Sequence, residues 1–396
     1  MDRKAMTLDQ VAALVGEPAD ELRRWRDMGL LGEAGEDPNE ASWEAVERAR
    51  LVHYAAGRGI PPGEIVRISA EQGDMLEPFV RWSLPREGGV FFTRAEAAER
   101  SGLEPDLTDQ VLAAGGLWDQ THVDEDDLAA LEMVATAIKF GLPTDALLQS
   151  LRVLADSLGK VSEATTRLFH LHVHEVLRVQ GLRGAELMAA TQAVANPLAD
   201  LVEPAVLYFH RKSWERANRE DLILHLQEES IAPGEFVRTL LFVDISGYTA
   251  MTESIGDAAV ARVVDRFAGL VRHTASECSG EVVKQIGDEF MLVFPDPAAA
   301  VTFGTTITAR ARRDLTLPPL RIGAHSGSVL YREGDYYGAT VNLAARVTSV
   351  ARGGQFVVTA IVRKQALGDS RSFKALGEHV LKGIGEPIAL FEVTAP

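Results

Sequence analysis

The sequence predicts an α+β protein in two parts. An all-helical N-terminal half is followed by a C-terminal domain in the ferredoxin-like order of strand, helix, hairpin, helix and strand. Three observations carry this reading. Charge divides the chain: Glu235–Pro396 holds 17 basic and 17 acidic side chains, so the whole net charge of -17 lies in residues 1–234. Before residue 235 the apolar residues recur at helical spacing and contain an approximate internal repeat. After it, apolar runs of strand length alternate with amphipathic helices. The expected divisions are a helical domain over 1–210, a linker helix over 211–234 and the second domain over 235–396.

Composition narrows the class. The chain has 396 residues, 46% hydrophobic and 24% charged, enough for two or three globular domains. A single cysteine, Cys278, excludes an intrachain disulfide and suits a reducing compartment. Met1-Asp2-Arg3-Lys4 leads into an acid-containing amphipathic segment rather than an apolar signal core, and no apolar run reaches the ~18 residues of a membrane span. The expected location is cytoplasmic.

The repeat lies in the first 156 residues. Thr7-Leu8-Asp9-Gln10-Val11-Ala12-Ala13 aligns with Thr93-Arg94-Ala95-Glu96-Ala97-Ala98-Glu99, and Gly59-Ile60-Pro61 with Gly141-Leu142-Pro143; the offset falls from 86 to 82. Each copy reads as a short helix, a Gly-containing turn, a second helix, a loop and a longer helix ending at Gly-x-Pro. This arrangement resembles the helix-turn-helix of MerR-type DNA-binding domains, with Leu22-Arg23-Arg24-Trp25-Arg26 as a recognition helix. Charge opposes that role. Residues 1–60 carry 8 basic and 12 acidic side chains and residues 88–156 carry 4 and 13, whereas a DNA binder needs a basic stripe against phosphate. No DNA partner is expected.

From Leu158 to about Leu226 the pattern is helical, with breaks or kinks expected at Pro197 and Pro204. Arg167, His170, His174 and Arg178 fall on one helical face, with His172 directed elsewhere. Histidines on such a face suit either a solvated basic surface or a pH sensor, the latter only if acidic groups cover the arginines. Arg211 to Asp221 is dense in both charges, as an exposed helix would be, and Pro233-Gly234 ends it.

In the second part, Leu240-Leu241-Phe242-Val243 is a buried-strand run delivering Asp244 at its mouth, followed by a Gly-containing turn that exposes bare backbone N–H groups. Asp257 to Cys278 reads as a helix with Val260, Val263, Val264, Phe267, Leu270 and Val271 in one stripe. Next come a hairpin with Asp288 at a Gly287-Asp288 tip, a helix over about 297–313, a strand over 320–327, a Gly334-Asp335 turn and a helix from about Ala339. That last helix holds Asn342 and Arg346 one turn apart. Two strand-end carboxylates can hold two Mg²⁺ ions, and an Arg fork beside them suits growing phosphoryl charge.

Four ordered motifs resemble the class III nucleotidyl cyclases over roughly 236–393: Phe242-Val243-Asp244-Ile245-Ser246-Gly247-Tyr248-Thr249, Lys284-Gln285-Ile286-Gly287-Asp288, Asp335-Tyr336-Tyr337-Gly338 and Val341-Asn342-Leu343-Ala344-Ala345-Arg346. The resemblance implies that Asp244, Asp288 and the backbone of Ile245 bind two Mg²⁺ or Mn²⁺ ions. It implies that Lys284 and Asp335 read adenine, Asn342 orients the ribose, Arg346 stabilises the transition state and Lys382 reaches the triphosphate. The substrate implied is ATP, since the Lys/Asp pair matches the donor–acceptor edge of adenine and not that of guanine. Because one polypeptide carries both the metal set and the base-reading set, which come from opposite subunits in the family, a homodimer with two composite sites is expected.

Gly287-Asp288-Glu289-Phe290 spells most of a diguanylate cyclase signature, but Ile286 stands at its first glycine and that family has no place for the Asn342/Arg346 helix. The N-terminal half resembles the autoinhibitory domain of mycobacterial pH-responsive adenylate cyclases. That implies a regulatory domain governed by pH, with room for a fatty acid or other lipid among the helices. The competing expectation is a DNA-binding regulator whose cyclase-like half only senses nucleotide.

Overall fold

The computed structural model describes residues 6–32, 40–83, 91–118, 120, 122–226, 235–366 and 372–394. They fall in two compact units, Met1–Glu228 and Glu229–Pro396. No helix among the described residues is long and apolar enough to cross a membrane.

In the first unit, matched elements recur. Leu8–Val15 and Arg94–Ser101 each begin at a capping box, in which a threonine hydroxyl accepts from the third residue's N–H and that residue's side chain accepts from the threonine N–H. Thr7 pairs in this way with Gln10, and Thr93 with Glu96. A second helix succeeds it in each copy (Ala19–Asp27; Pro105–Ala114), then a longer one (Trp43–Ala56; Glu125–Lys139). Each copy closes its own core, around Leu22, Trp25 and Val46 in the first and Ala97, Val123 and Leu131 in the second.

The expectation of an all-helical half is corrected by two short antiparallel ladders, Met6–Thr7 with Glu40–Ala41 and Phe92–Thr93 with His122–Val123. Two-residue strands are too short to leave an alternating pattern in sequence.

Beyond the second copy run Thr144–Phe169, a π-helical turn over His170–His174, Glu175–Val179 and a 43-residue helix, Gly184–Leu226. Pro197 and Pro204 lie inside that last helix and do not break it. The break falls instead between residues 180 and 183, where Gly181 takes a φ of 105°. The helix end expected at Pro233-Gly234 lies outside the described residues.

The second unit is labelled from its first element: β1 (Glu235–Ile245), α1 (Tyr248–Ile255), α2 (Asp257–Glu277), β2 (Glu281–Ile286), β3 (Glu289–Phe294), α3 (Pro297–Arg313), β4 (Leu320–Arg332), β5 (Asp335–Tyr337), α4 (Ala339–Val350), β6 (Phe356–Thr359), α5 (Ala360–Gln365), β7 (Ser372–His379) and β8 (Ile388–Thr394). Strand order is β7-β8-β6-β4-β1-β3-β2, with β5 hydrogen-bonded to β4. The run β4-β1-β3-β2 is antiparallel throughout, as a ferredoxin-like core requires.

Alternation along β1 sorts its side chains to two faces. Leu241, Val243 and Ile245 pack with Phe267 of α2 and Phe303 of α3. Leu240 and Phe242 pack against Ala344 of α4. Asp244 continues the second series and ends it at the strand mouth.

Candidate active site

β1 delivers Asp244, a buried carboxylate, beside the β2–β3 turn that carries Asp288. Gly287 occupies the left-handed region at φ 62°, which a side chain would disfavour, so the tight tip depends on glycine. Opposite Asp244 in the β1–β4 ladder stands Arg321. Its guanidinium donates twice, Nε to Oδ1 at 2.9 Å and Nη2 to Oδ2 at 2.5 Å. This fork fixes the carboxylate plane and offsets its charge. Asp244, Ile245, Gly247, Tyr248, Asp288, Glu289 and Arg321 line one open cleft of 580 Å³.

The carboxyls of this cleft are strained electrostatically. Burial pushes Asp288 above the usual carboxylate range, and Asp244 adds to the push, while a backbone hydrogen bond from Ile245 and the Arg321 charge oppose it. Burial also raises Glu289, reinforced by Asp244 and Asp288. Arg321 is held more firmly protonated, first by its hydrogen bonds to Asp244. A cluster of this kind gains from a bound cation.

The available donors are carboxylate and backbone oxygens, a hard set that matches Mg²⁺ or Mn²⁺ and not a thiophilic metal. No group of three or more His, Cys, Asp and Glu able to hold a metal occurs among the described residues. Asp244, Asp288 and the Ile245 backbone are the groups that would hold such an ion, with phosphate and water oxygens completing its shell.

The other sequence-predicted residues lie elsewhere. Lys284 of β2 and Asp335 of β5 form an ion pair, with Asp335 Oδ1 also accepting from the Tyr336 N–H at 2.9 Å. Asn342 and Arg346 stand one turn apart on α4, both exposed. Lys382 is exposed in the connection between β7 and β8. None of these five lines the Asp244–Asp288 cleft.

Two cleft residues escape sequence reasoning. Arg321 sits in a strand where its charge reads as ordinary alternation, and only the register of β1 on β4 sets it against Asp244. Glu289 comes directly after Asp288, but its share in the cleft depends on how the hairpin tip turns.

The adenylate and guanylate cyclase catalytic domain matches residues 235–391. A protein of Mycobacterium tuberculosis named a pH-sensitive adenylate cyclase is 30% identical over 382 residues, covering 92% of this chain and 90% of that one. An adenylate cyclase of Glutamicibacter nicotianae is 25% identical over 333 residues, covering 80% and 79%. Among solved structures, the adenylyl cyclase CyaB from P. aeruginosa aligns with a TM-score of 0.38 at 22% identity, covering 41% of this chain and 95% of that one. The chain belongs to the class III adenylate and guanylate cyclase family, and it is an adenylate cyclase.

Proposed function

We propose that this cyclase converts ATP to 3′,5′-cyclic AMP and pyrophosphate at two composite sites formed by a pair of identical chains, and that its N-terminal half restrains it until acid relieves the restraint. The observation that carries the first part is the division of labour on one chain. Asp244 and Asp288 converge on one cleft, while Lys284, Asp335, Asn342 and Arg346 stand outside it. Apposition of a second copy would bring one chain's base-reading residues to the other's cleft.

Asp244, Asp288 and the Ile245 backbone would hold two divalent cations, which, when bound, lower the pKa of the attacking 3′-hydroxyl and offset charge on the phosphates. The chain's own residues do the rest. Arg321 keeps Asp244 in one orientation and presents a fixed positive charge at the same cleft. Lys284 donates to adenine N1 and Asp335 accepts from the 6-amino group, so the ion pair they make with each other is opened by the base. Guanine offers a carbonyl and an N–H at that edge and would face like against like. Asn342 orients the ribose, and Arg346 donates to the non-bridging oxygens as negative charge grows during in-line displacement. Lys382 contributes charge to the triphosphate.

Two observations support regulation. The relative named for its pH sensitivity matches through the N-terminal half as well as the catalytic half. The helices of that half also gather His170, His174 and Glu175 in one turn. Exposed Leu154, Leu168, Leu201 and Phe209 on the same helices offer the apolar surface a fatty acid would need.

The test is Mn²⁺-supported cyclic AMP formation by the full chain and by Asp244→Ala and Asp288→Ala. Each variant is expected to lose activity by about 10²-fold or more while remaining folded. Retention of more than about a tenth of the activity by either would defeat the two-cation assignment.

A further inference from the structure

The helix that carries Asn342 and Arg346 lies on bare backbone of β4, and we infer that Gly323 and Gly327 are positioning residues for those two side chains. The inference rests on the roles proposed above for Asn342 and Arg346.

The contact is close at both ends of α4. A Cβ at Gly323 would overlap the backbone nitrogen of Thr348 and sit 2.5 Å from its Cα. A Cβ at Gly327 would sit 2.7 Å from Thr340 Oγ1 and 3.4 Å from its Cγ2. Neither glycine is in the left-handed region, so the constraint is space and not backbone conformation. Thr340 Oγ1 also donates to the Ser328 carbonyl at 2.6 Å, tying the first turn of the helix to the strand.

The spacings agree. Four residues of strand separate the glycines, about 13 Å. Eight residues of helix separate Thr340 from Thr348, about 12 Å. The helix thus runs along β4 in the opposite direction, touching it at two points. Rotation is set by the same geometry. At about 100° per residue, Thr340, Ala344 and Thr348 span an arc of about 80°, and all three are buried. Asn342 and Arg346 fall about 200° and 240° round from Thr340, on the side away from the sheet. Both are exposed there. The two glycines therefore set the height and the rotation at which α4 presents its functional face.

An added methyl at each position has a different remedy. At Gly327 it meets side-chain atoms of Thr340, which a smaller residue removes. At Gly323 it meets the backbone of Thr348, which no substitution removes.

The experiment uses the full chain. Gly327→Ala should lower kcat by about 10²-fold with KM for ATP changed less than about threefold, because a shift of about 1 Å misplaces the groups that act in the transition state. Adding Thr340→Ala to Gly327→Ala should bring kcat back to within about fivefold of Thr340→Ala alone. Gly323→Ala should also lose activity, and adding Thr348→Ala should not restore it. Mixing adds a readout that general misfolding would not give. Gly327→Ala chains mixed with Asp244→Ala chains should regain activity, and mixed with Arg346→Ala chains should not, since the defect stays on the Arg346-bearing side.

Wild-type kcat in Gly327→Ala, a double variant no better than the single, or recovery with Arg346→Ala instead of Asp244→Ala would each overturn the inference. The control mixture of Asp244→Ala with Arg346→Ala separates the two readings. If it stays inactive after proven subunit exchange, the composite site is wrong, and the kcat–KM split and the Thr340 rescue still decide whether the glycines seat the helix.

Discussion

His325 lies between the two glycines of β4, partly buried, with Nδ1 2.9 Å from the Thr359 hydroxyl. Burial pulls its pKa down to about 4. An unfolded chain would protonate this imidazole near 6.5, so in acid the unfolded state binds the proton first. The stabilisation is complete above about pH 6.5 and is lost as pH falls toward 4, with a size of about 3 kcal/mol. We expect the melting temperature of the cyclase to drop between pH 7 and pH 5, and His325→Gln to flatten that drop. Equal slopes for the two proteins would show that the acid sensitivity comes from other groups. Legibility at this scale was uneven. Asp244 and Asp288 announce themselves, because an apolar run ending in a carboxylate and a Gly-Asp tip are local signals. Arg321 does not, because its meaning depends on a partner 77 residues away in sequence.

The π-helical turn at His170–His174 is the element that most alters the sequence reading. Helical periodicity put Arg167, His170, His174 and Arg178 on one face, which assumes an uninterrupted 3.6-residue repeat. A π turn takes in an extra residue and rotates every side chain beyond it. The rings of His170 and His174 are stacked, 5.3 Å apart and 15° from parallel. Glu175 lies 3.8 Å from His170, and Thr191 of the next long helix lies 3.4 Å from His174 Nδ1. Both arginines are met by acids of their own segment, Arg167 by Glu163 and Arg178 by Glu175. Arg178 holds Glu175 below the usual carboxylate range, so that charge is present throughout pH 6–8. The stacked rings therefore have one carboxylate, Glu175, beside them. We expect activity of the full chain to rise from pH 8 to pH 6, and a His170/His172/His174→Ala variant to lose most of that rise. The comparison is made on pH–activity curves that include residues 235–396 alone. An isolated catalytic half with the same acid response would place the sensing there, and a triple variant that behaves normally would clear these histidines. The two-residue ladders were not legible either, and of the breaks or kinks expected at Pro197 and Pro204 the helix shows no break. Short strands carry too little pattern, and neighbouring packing can override a proline's local cost.

At the scale of the whole molecule, composite sites make a quantitative demand. Asp244→Ala and Arg346→Ala chains should each be inactive alone. In a mixed pair one site collects both defects and the other collects neither. Random exchange of equal amounts yields mixed pairs as half of all dimers, so about one quarter of wild-type activity should return. Cyclic AMP formation before and after mixing measures it, with exchange verified by mass-tagged chains. Recovery near zero would mean that each chain builds its own site. The chain divides into compact units between Glu228 and Glu229, and the shape of the helix before that division was not readable from the sequence. Gly184–Leu226 spans about 65 Å, and Pro197 and Pro204 lack the N–H that would complete its ladder. The arm from Pro204 to Leu226 is about 33 Å long, so a bend of about 10° at that proline swings the far end through about 6 Å. A helix of that length would act as a lever with a fulcrum of its own, turning a small angular change at Pro204 into a stroke at its far end longer than one helical turn.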